Sequence, residues 1–205
     1  MIIIIDYGVG NLGSIQNMLK KIGCPDVIIS KNKKDIDGAD KLILPGVGSF
    51  DNGMKKINES GLLDILNENA LVKKKPILGI CLGMQLLTNK SEEGNLKGLG
   101  WIDAETIKFN LTGQNSHLKI PHMGWNFIKV AKEHQLVKNT DDNFRYYFVH
   151  SYYVSCKNKT EELMSCNYGV NFTCAVQKDN IMGVQFHPEK SHKYGMQLLK
   201  NFVDL

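Results

Sequence analysis

A chain of 205 residues, 42% hydrophobic and 22% charged, has the make-up of one globular domain large enough to bury a core without disulfides or metals. Its net charge is only +4, and Arg145 is the single arginine among 25 basic residues, so the clustered arginines of a nucleic-acid binder are missing. The five cysteines form no C-x-x-C pair, no apolar run is long enough to span a membrane, and Met1-Ile2-Ile3-Ile4-Ile5-Asp6 lacks the basic start of a signal peptide, so a soluble protein of the reducing cytoplasm is expected.

In chain order, 2–6 reads as a buried strand. Residues 11–22 carry Ile15, Met18, Leu19 and Ile22 at helical spacing. Strands are expected at 27–30 and 41–44, the latter ended by Pro45-Gly46. Helical segments follow at 53–57 and 62–71, then an apolar strand at 76–80 and a helix at 82–87. Residues 91–100, with three glycines, read as a long loop. The second half shows extended segments at 148–149, 152–154, 172–177 and 181–186, and a closing helix from about residue 193. Strands alternating with helices predict a single α/β domain over 1–205. Its sheet is expected to be open and mostly parallel, with helices on both faces and an antiparallel extension in the second half.

Gly8-Val9-Gly10-Asn11-Leu12-Gly13 fits G-x-G-x-x-G between a strand and a helix. A dinucleotide site would also need an acid at the end of the second strand, which instead ends Ile29-Ser30-Lys31. A tight strand-to-helix turn is the better reading.

Gly79-Ile80-Cys81-Leu82-Gly83 is the thiol counterpart of the G-x-S-x-G nucleophile elbow. The sharp turn crowds both sides of the nucleophile, and glycine relieves that crowding. Cys81 also falls at a helix N-terminus, where aligned N–H groups favour a thiolate. Free cysteine is usually a small buried apolar residue, and Cys24, Cys156, Cys166 and Cys174 are read so. A thiol alone leaves redox sensing and peptidase chemistry open.

Gln185-Phe186-His187-Pro188-Glu189 ends the strand at 181–186. His187 would emerge at the carboxyl edge of the sheet, where catalytic groups collect. Glu189 could hold one ring nitrogen and leave the other for a thiol. His187, Glu189 and His192 do not have the H-E-x-x-H spacing of a helical metal site, so no metal is expected. The N–H of Leu82 is one natural oxyanion donor, and the loop Pro45-Gly46-Val47-Gly48 offers Val47 and Gly48 for a second.

Together these segments, with Gly83-Met84-Gln85 after the thiol, resemble the class I, triad-type glutamine amidotransferases of flavodoxin-like fold. Asp6-Tyr7-Gly8-Val9-Gly10-Asn11-Leu12, Gly98-Leu99-Gly100-Trp101, Pro121-His122-Met123-Gly124-Trp125-Asn126, Tyr147-Phe148-Val149-His150-Ser151-Tyr152 and Lys190-Ser191 extend the likeness. They do so toward the glutaminase subunits of imidazole glycerol phosphate synthases. The resemblance implies Cys81 as nucleophile, His187 as base and Glu189 as its orienter, with no cofactor. It implies that Gly48, Gln85 and the backbone of His150-Ser151 hold the amino-acid end of glutamine. It also implies a heterodimer with a (β/α)₈-barrel synthase (cyclase) subunit, met by Asn11, Met123, Trp125, Tyr147 and Lys190. Gly13-Ser14 departs from the arginine or other large residue that histidine-pathway members often carry after Asn11-Leu12. A paralogous glutaminase that supplies ammonia for amidating surface-polysaccharide sugars therefore stays open.

Overall fold

The computed structural model describes residues 1–141 and 143–205. Strand β1 (Ile2–Ile5) is four isoleucines, all buried. Side chains alternate faces along a strand, so Ile2 and Ile4 join one apolar cluster while Ile3 and Ile5 join another. A strand of this kind needs cover on both faces. Helix α1 (Leu12–Lys21) follows, then β2 (Val27–Ser30), α2 (Lys33–Gly38), β3 (Lys41–Gly46), α3 (Phe50–Glu59) and α4 (Leu63–Asn67). β4 (Ile77–Cys81) passes directly into α5 (Leu82–Leu86). The second half adds β5 (Lys90–Ser91), β6 (Ala104–Lys108), β7 (His122–Val130) and β8 (Arg145–His150). β9 (Tyr152–Cys156), β10 (Glu162–Tyr168), β11 (Val170–Lys178), β12 (Ile181–Val184) and α6 (His192–Val203) complete the chain.

Strands run β2-β1-β3-β4-β12, all parallel. β11, β10, β7 and β8 then extend the sheet antiparallel. β9 branches from β11 and pairs with β6, which carries β5. Ile15 and Leu19 of α1 and Leu198, Leu199 and Phe202 of α6 cover one face. The other face is covered by Ile36 of α2, Phe50, Met54 and Ile57 of α3, Leu66 of α4 and Leu86 of α5. Among the described residues no helix is long and apolar enough to cross a membrane.

The expected parallel half and antiparallel extension are both present, with differences at particular elements. β3 continues through Pro45 and Gly46. Proline is tolerated there because β1 pairs with β3 only as far as Ile43, so the missing N–H leaves no gap on that side. The helix expected over 62–71 changes to a π-helical turn at Glu68–Val72. Strands β6, β7 and β10 were not anticipated. β7 turns Met123, Trp125 and Phe127 outward, the reverse of a core-facing pattern, and β10 is interrupted by register shifts between Glu162 and Ser165. At the start of the chain, Gly8 and Gly10 take positive φ in the β1–α1 turn, and a β-carbon on Gly10 would sit 3.3 Å from Pro45. That turn is packed against the end of β3.

The β4–α5 junction is very tight. A β-carbon on Gly83 would lie 1.8 Å from the Leu44 carbonyl oxygen, and one on Gly79 would lie 2.8 Å from the Gly83 backbone. Both obstacles are backbone and cannot swing away. Gly83→Ala should therefore lower the unfolding free energy by about 3 kcal/mol, the upper end of ordinary overpacking. Gly13→Ala, on an open stretch of α1, should be neutral or slightly stabilising. Urea unfolding midpoints of the two variants test the contrast.

Candidate active site

Cys81 is the last residue of β4 and the N-cap of α5, with φ 55° and ψ −110°. Left-handed φ is strained for any residue with a β-carbon. The strand behind it and the helix ahead leave the backbone no other route. The thiol thus stands where the first N–H groups of α5 converge, that of Leu82 among them.

His187 lies just beyond β12. Its backbone N–H donates to the Tyr147 carbonyl at 2.9 Å, which ties it to β8. Ser191 braces the same turn: its hydroxyl donates to the His187 carbonyl (2.6 Å) and accepts from the Tyr147 N–H (3.0 Å). Pro188 opens a single 3-10 turn, Pro188–Lys190. α6 presses onto that turn at Gly195, where a β-carbon would come within 1.8 Å of the Pro188 carbonyl oxygen. Glu189 is folded back by this turn, and its Oε1 lies 2.7 Å from His187 Nδ1. A carboxylate only accepts, so Nδ1 carries the proton and Nε2 is left for the thiol. The two side chains are 4% and 1% exposed, which places an ion pair out of bulk water.

Burial by itself would neutralise the ring. Contact with Cys81 and Glu189 outweighs it and raises the His187 pKa from 6.5 to about 10. The other thiols contrast sharply. Burial pushes Cys156 and Cys166 up to about 12 and Cys174 well above its ordinary value, so these are inert core thiols.

A cleft of about 310 Å³ joins the expected site residues. Cys81, Leu82, Gln85, Val47, Gly48, His150, Ser151 and His187 all line it. Gly48 has φ +102°, so the loop after β3 turns by a route that glycine permits. Gln85 faces the cleft, but its amide also has structural partners: its Nε2 donates to the Tyr152 carbonyl (3.1 Å) and to Gln185 Oε1 (3.0 Å). Gln185 in turn directs its Nε2 at the Cys81 sulfur, 3.9 Å away.

The sequence did not single out Gln185, Tyr152 or Glu93 as site residues. Glu93 puts a carboxylate on the cleft wall and accepts from the Phe50 N–H at the start of α3 (2.8 Å). It sits in the glycine-rich segment read only as a loop. A carboxylate beside a loop glycine carries no signal until the fold brings it to the cleft that Cys81 also lines.

The expected partner-facing residues form a separate surface. Met123 and Trp125 are exposed on β7, beside Phe127. Lys190 lies over the Tyr147 ring, Arg145 lies over Trp125, and Trp125 meets Tyr147 edge-on. His192 stacks on Trp125 with rings 5° from parallel, so it belongs to this surface and not to the His187–Glu189 pair. Asn11 is exposed at the start of α1, which packs against the Pro188–Lys190 turn.

The model of the class-I glutamine amidotransferases matches residues 3–205. This chain belongs to that family. The amidotransferase is 59% identical over 203 residues to "Imidazole glycerol phosphate synthase subunit HisH 2" of Methanococcus maripaludis, across 99% of this chain and 98% of that one. It is 52% identical over 205 residues to the subunit named HisH 2 of Pseudomonas aeruginosa, covering 100% of both. Against the subunit named HisH of Leptospira interrogans it is 47% identical over 205 residues, again 100% of both. A solved glutamine amidotransferase superposes with TM-score 0.74 at 17% identity, over 98% of this chain and 97% of that one, a likeness of fold.

The raised pKa of His187 has a definite sign. Its charged form stabilises the fold, fully so below about pH 6.5, and that contribution is lost as the pH rises through about 10. Glu189→Gln removes one of the groups that hold the charge. The stability gap between wild type and Glu189→Gln should be wider near about pH 6 than near about pH 10, as read by urea unfolding at each pH.

Proposed function

We propose that this amidotransferase is the glutaminase subunit of an imidazole glycerol phosphate synthase. The observation that carries the chemistry is the meeting of Cys81 with the His187–Glu189 pair at one cleft, from positions far apart in the chain. Cys81 attacks the side-chain amide carbon of glutamine. His187 takes the thiol proton and delivers it to the departing nitrogen, which leaves as ammonia. Water then attacks the thioester with His187 as base, the sulfur leaves as a thiolate beside the recharged ring, and glutamate departs. Glu189 keeps Nε2 aimed at the sulfur throughout. The Leu82 N–H and the backbone of Val47-Gly48 serve the oxyanion, and each such donor is worth about 2.7–4 kcal/mol. Gly48, Gln85 and the backbone of His150-Ser151 hold the amino-acid end, and Glu93 supplies a negative charge for the α-ammonium group. No cofactor enters these steps.

The ammonia passes to a (β/α)₈-barrel synthase (cyclase) subunit in a heterodimer. There it reacts with a phosphoribulosyl aminoimidazole carboxamide nucleotide to give imidazole glycerol phosphate and an aminoimidazole carboxamide ribotide, in histidine biosynthesis. Met123, Trp125, Tyr147, Lys190 and Asn11 meet that partner, and the exposed aromatic and apolar side chains of β7 support this assignment. The five free cysteines fit a reducing cytoplasm. A second destination for the ammonia is favoured by one feature. Gly13-Ser14 replaces the large residue frequent in histidine-pathway members. In that reading the ammonia amidates a surface-polysaccharide sugar.

Cys81→Ala should lower glutamine turnover by about ten-thousandfold or more, and a glutamine-like electrophile should label Cys81 in the wild type alone. Persistent turnover in the variant would remove the mechanism. Glutamine hydrolysis should rise when the synthase subunit and its nucleotide are added, and no rise would favour the sugar pathway. Trp125→Ala should weaken subunit association by about 2 kcal/mol, measured by calorimetric titration.

A further inference from the structure

A line of hydrogen bonds runs from the β7 surface to His150 and, through the Tyr152 carbonyl that His150 and Gln85 share as acceptor, on to the nucleophile. It starts at Asn126, whose amide is set by backbone at both ends: Oδ1 accepts from the Phe127 N–H (2.9 Å) and Nδ2 donates to the Asn167 carbonyl (2.8 Å). The same Nδ2 lies 3.3 Å from His122 Nε2, which must therefore accept. In a neutral ring the His122 proton is then on Nδ1, 3.0 Å from His150 Nε2. His150 accepts there and donates from Nδ1 to the Tyr152 carbonyl at 2.7 Å. That carbonyl also accepts from Gln85, and Gln85 also donates to Gln185. With its Oε1 so engaged, Gln185 can present only Nε2 to the Cys81 sulfur.

The line is held rigid. The His122 ring is sandwiched between Phe148 (4.9 Å, 24°) and Tyr168 (4.0 Å, 25°). Burial lowers the pKa of His122 to about 4 and that of His150 to about 3, which keeps both rings neutral and the donor–acceptor order intact. Charging His150 would turn its acceptor into a donor facing His122 Nδ1–H.

We infer that His122, whose ring does not line the cleft, is a positioning residue for glutamine hydrolysis: its Nδ1–H engages His150 Nε2 and keeps that ring seated on the Tyr152 carbonyl, the acceptor that His150 shares with Gln85, whose amide in turn meets the Gln185 side chain that aims an N–H at Cys81. The inference rests on the glutaminase reading of the cleft. A donor on the sulfur orients it for attack, and a fixed Gln85 keeps the cleft wall in register with the substrate. The polar order, and not merely the packing, is what the reaction needs.

The test uses the full chain, free and with its synthase partner. His122→Phe keeps the aromatic sandwich and removes both nitrogens, whereas His122→Asn retains an N–H near the Nδ1 position. In His122→Phe, kcat/KM for glutamine should fall about ten- to a hundredfold, and alkylation of Cys81 by iodoacetamide at neutral pH should slow about tenfold. His122→Asn should recover most of both. Long-range ¹H–¹⁵N spectra of the wild type should give Nδ1–H tautomers for His122 and His150. An Nε2–H tautomer at either ring would overturn the inference without any variant. So would a folded His122→Phe with wild-type turnover and alkylation. Failure of the wild-type complex to hydrolyse glutamine would instead strike the glutaminase reading, which the tautomer and alkylation measurements do not require.

Discussion

The backbone of Cys81 sits at φ 55° and ψ −110°, a conformation that costs a residue with a β-carbon on the order of 1–3 kcal/mol. It persists because both sides of the turn are over-determined. β4 is locked by parallel pairing to β3 and β12, and Gly46 pairs with Cys81 itself. α5 is pinned from the other side, because the missing side chain of Gly83 lets it lie directly on the Leu44 carbonyl. Relaxing the turn would mean breaking the central sheet. The thiol is therefore held at the carboxyl edge of the sheet and at the helix N-terminus together.

The partner side chains come from a different construction. His187 follows a parallel strand, yet its position is set by the antiparallel half: the Tyr147 carbonyl receives its N–H, and Ser191 bridges the same strand. β8 also brings His150 to the cleft and pairs with β7, whose outer side carries Met123, Trp125 and Phe127. One strand thus links His187, the cleft wall and the exposed aromatic surface. A shift of β8 would move all three together, so the antiparallel extension is part of the site and more than an addition to the sheet.

Much of the site was legible because its chemistry follows local geometry. The glycines around Cys81 mark a turn that only glycine flanks allow, and the two-residue step from His187 to Glu189 is short enough for one 3-10 turn to close. The parallel strands were legible because burial on both faces produces unbroken apolar runs. β7 was not, since its large apolar residues face outward and its inward positions include His122 and Asn126. Gln185 and Glu93 were missed for another reason. An amide's or a carboxylate's role depends on which atoms the fold sets opposite it, and neither leaves a periodic trace. The Gly8–Gly10 pattern illustrates the reverse case, in which a real glycine requirement arises from packing on Pro45.

The five cysteines make the same point about environment. Cys156, Cys166 and Cys174 are buried where nothing nearby outweighs the loss of water, and burial above all drives them toward the neutral thiol, reinforced at Cys156 and Cys174 by the Glu162 carboxylate. Cys81 is also buried, at 7% exposure, so burial does not separate it from them. What separates it is the company it keeps: the His187 ring held charged, the Gln185 amide, and the first turn of α5. Each is supplied by a different part of the chain. The environment of Cys81 is thus a property of the assembled sheet edge, while chemically identical thiols elsewhere serve as packing.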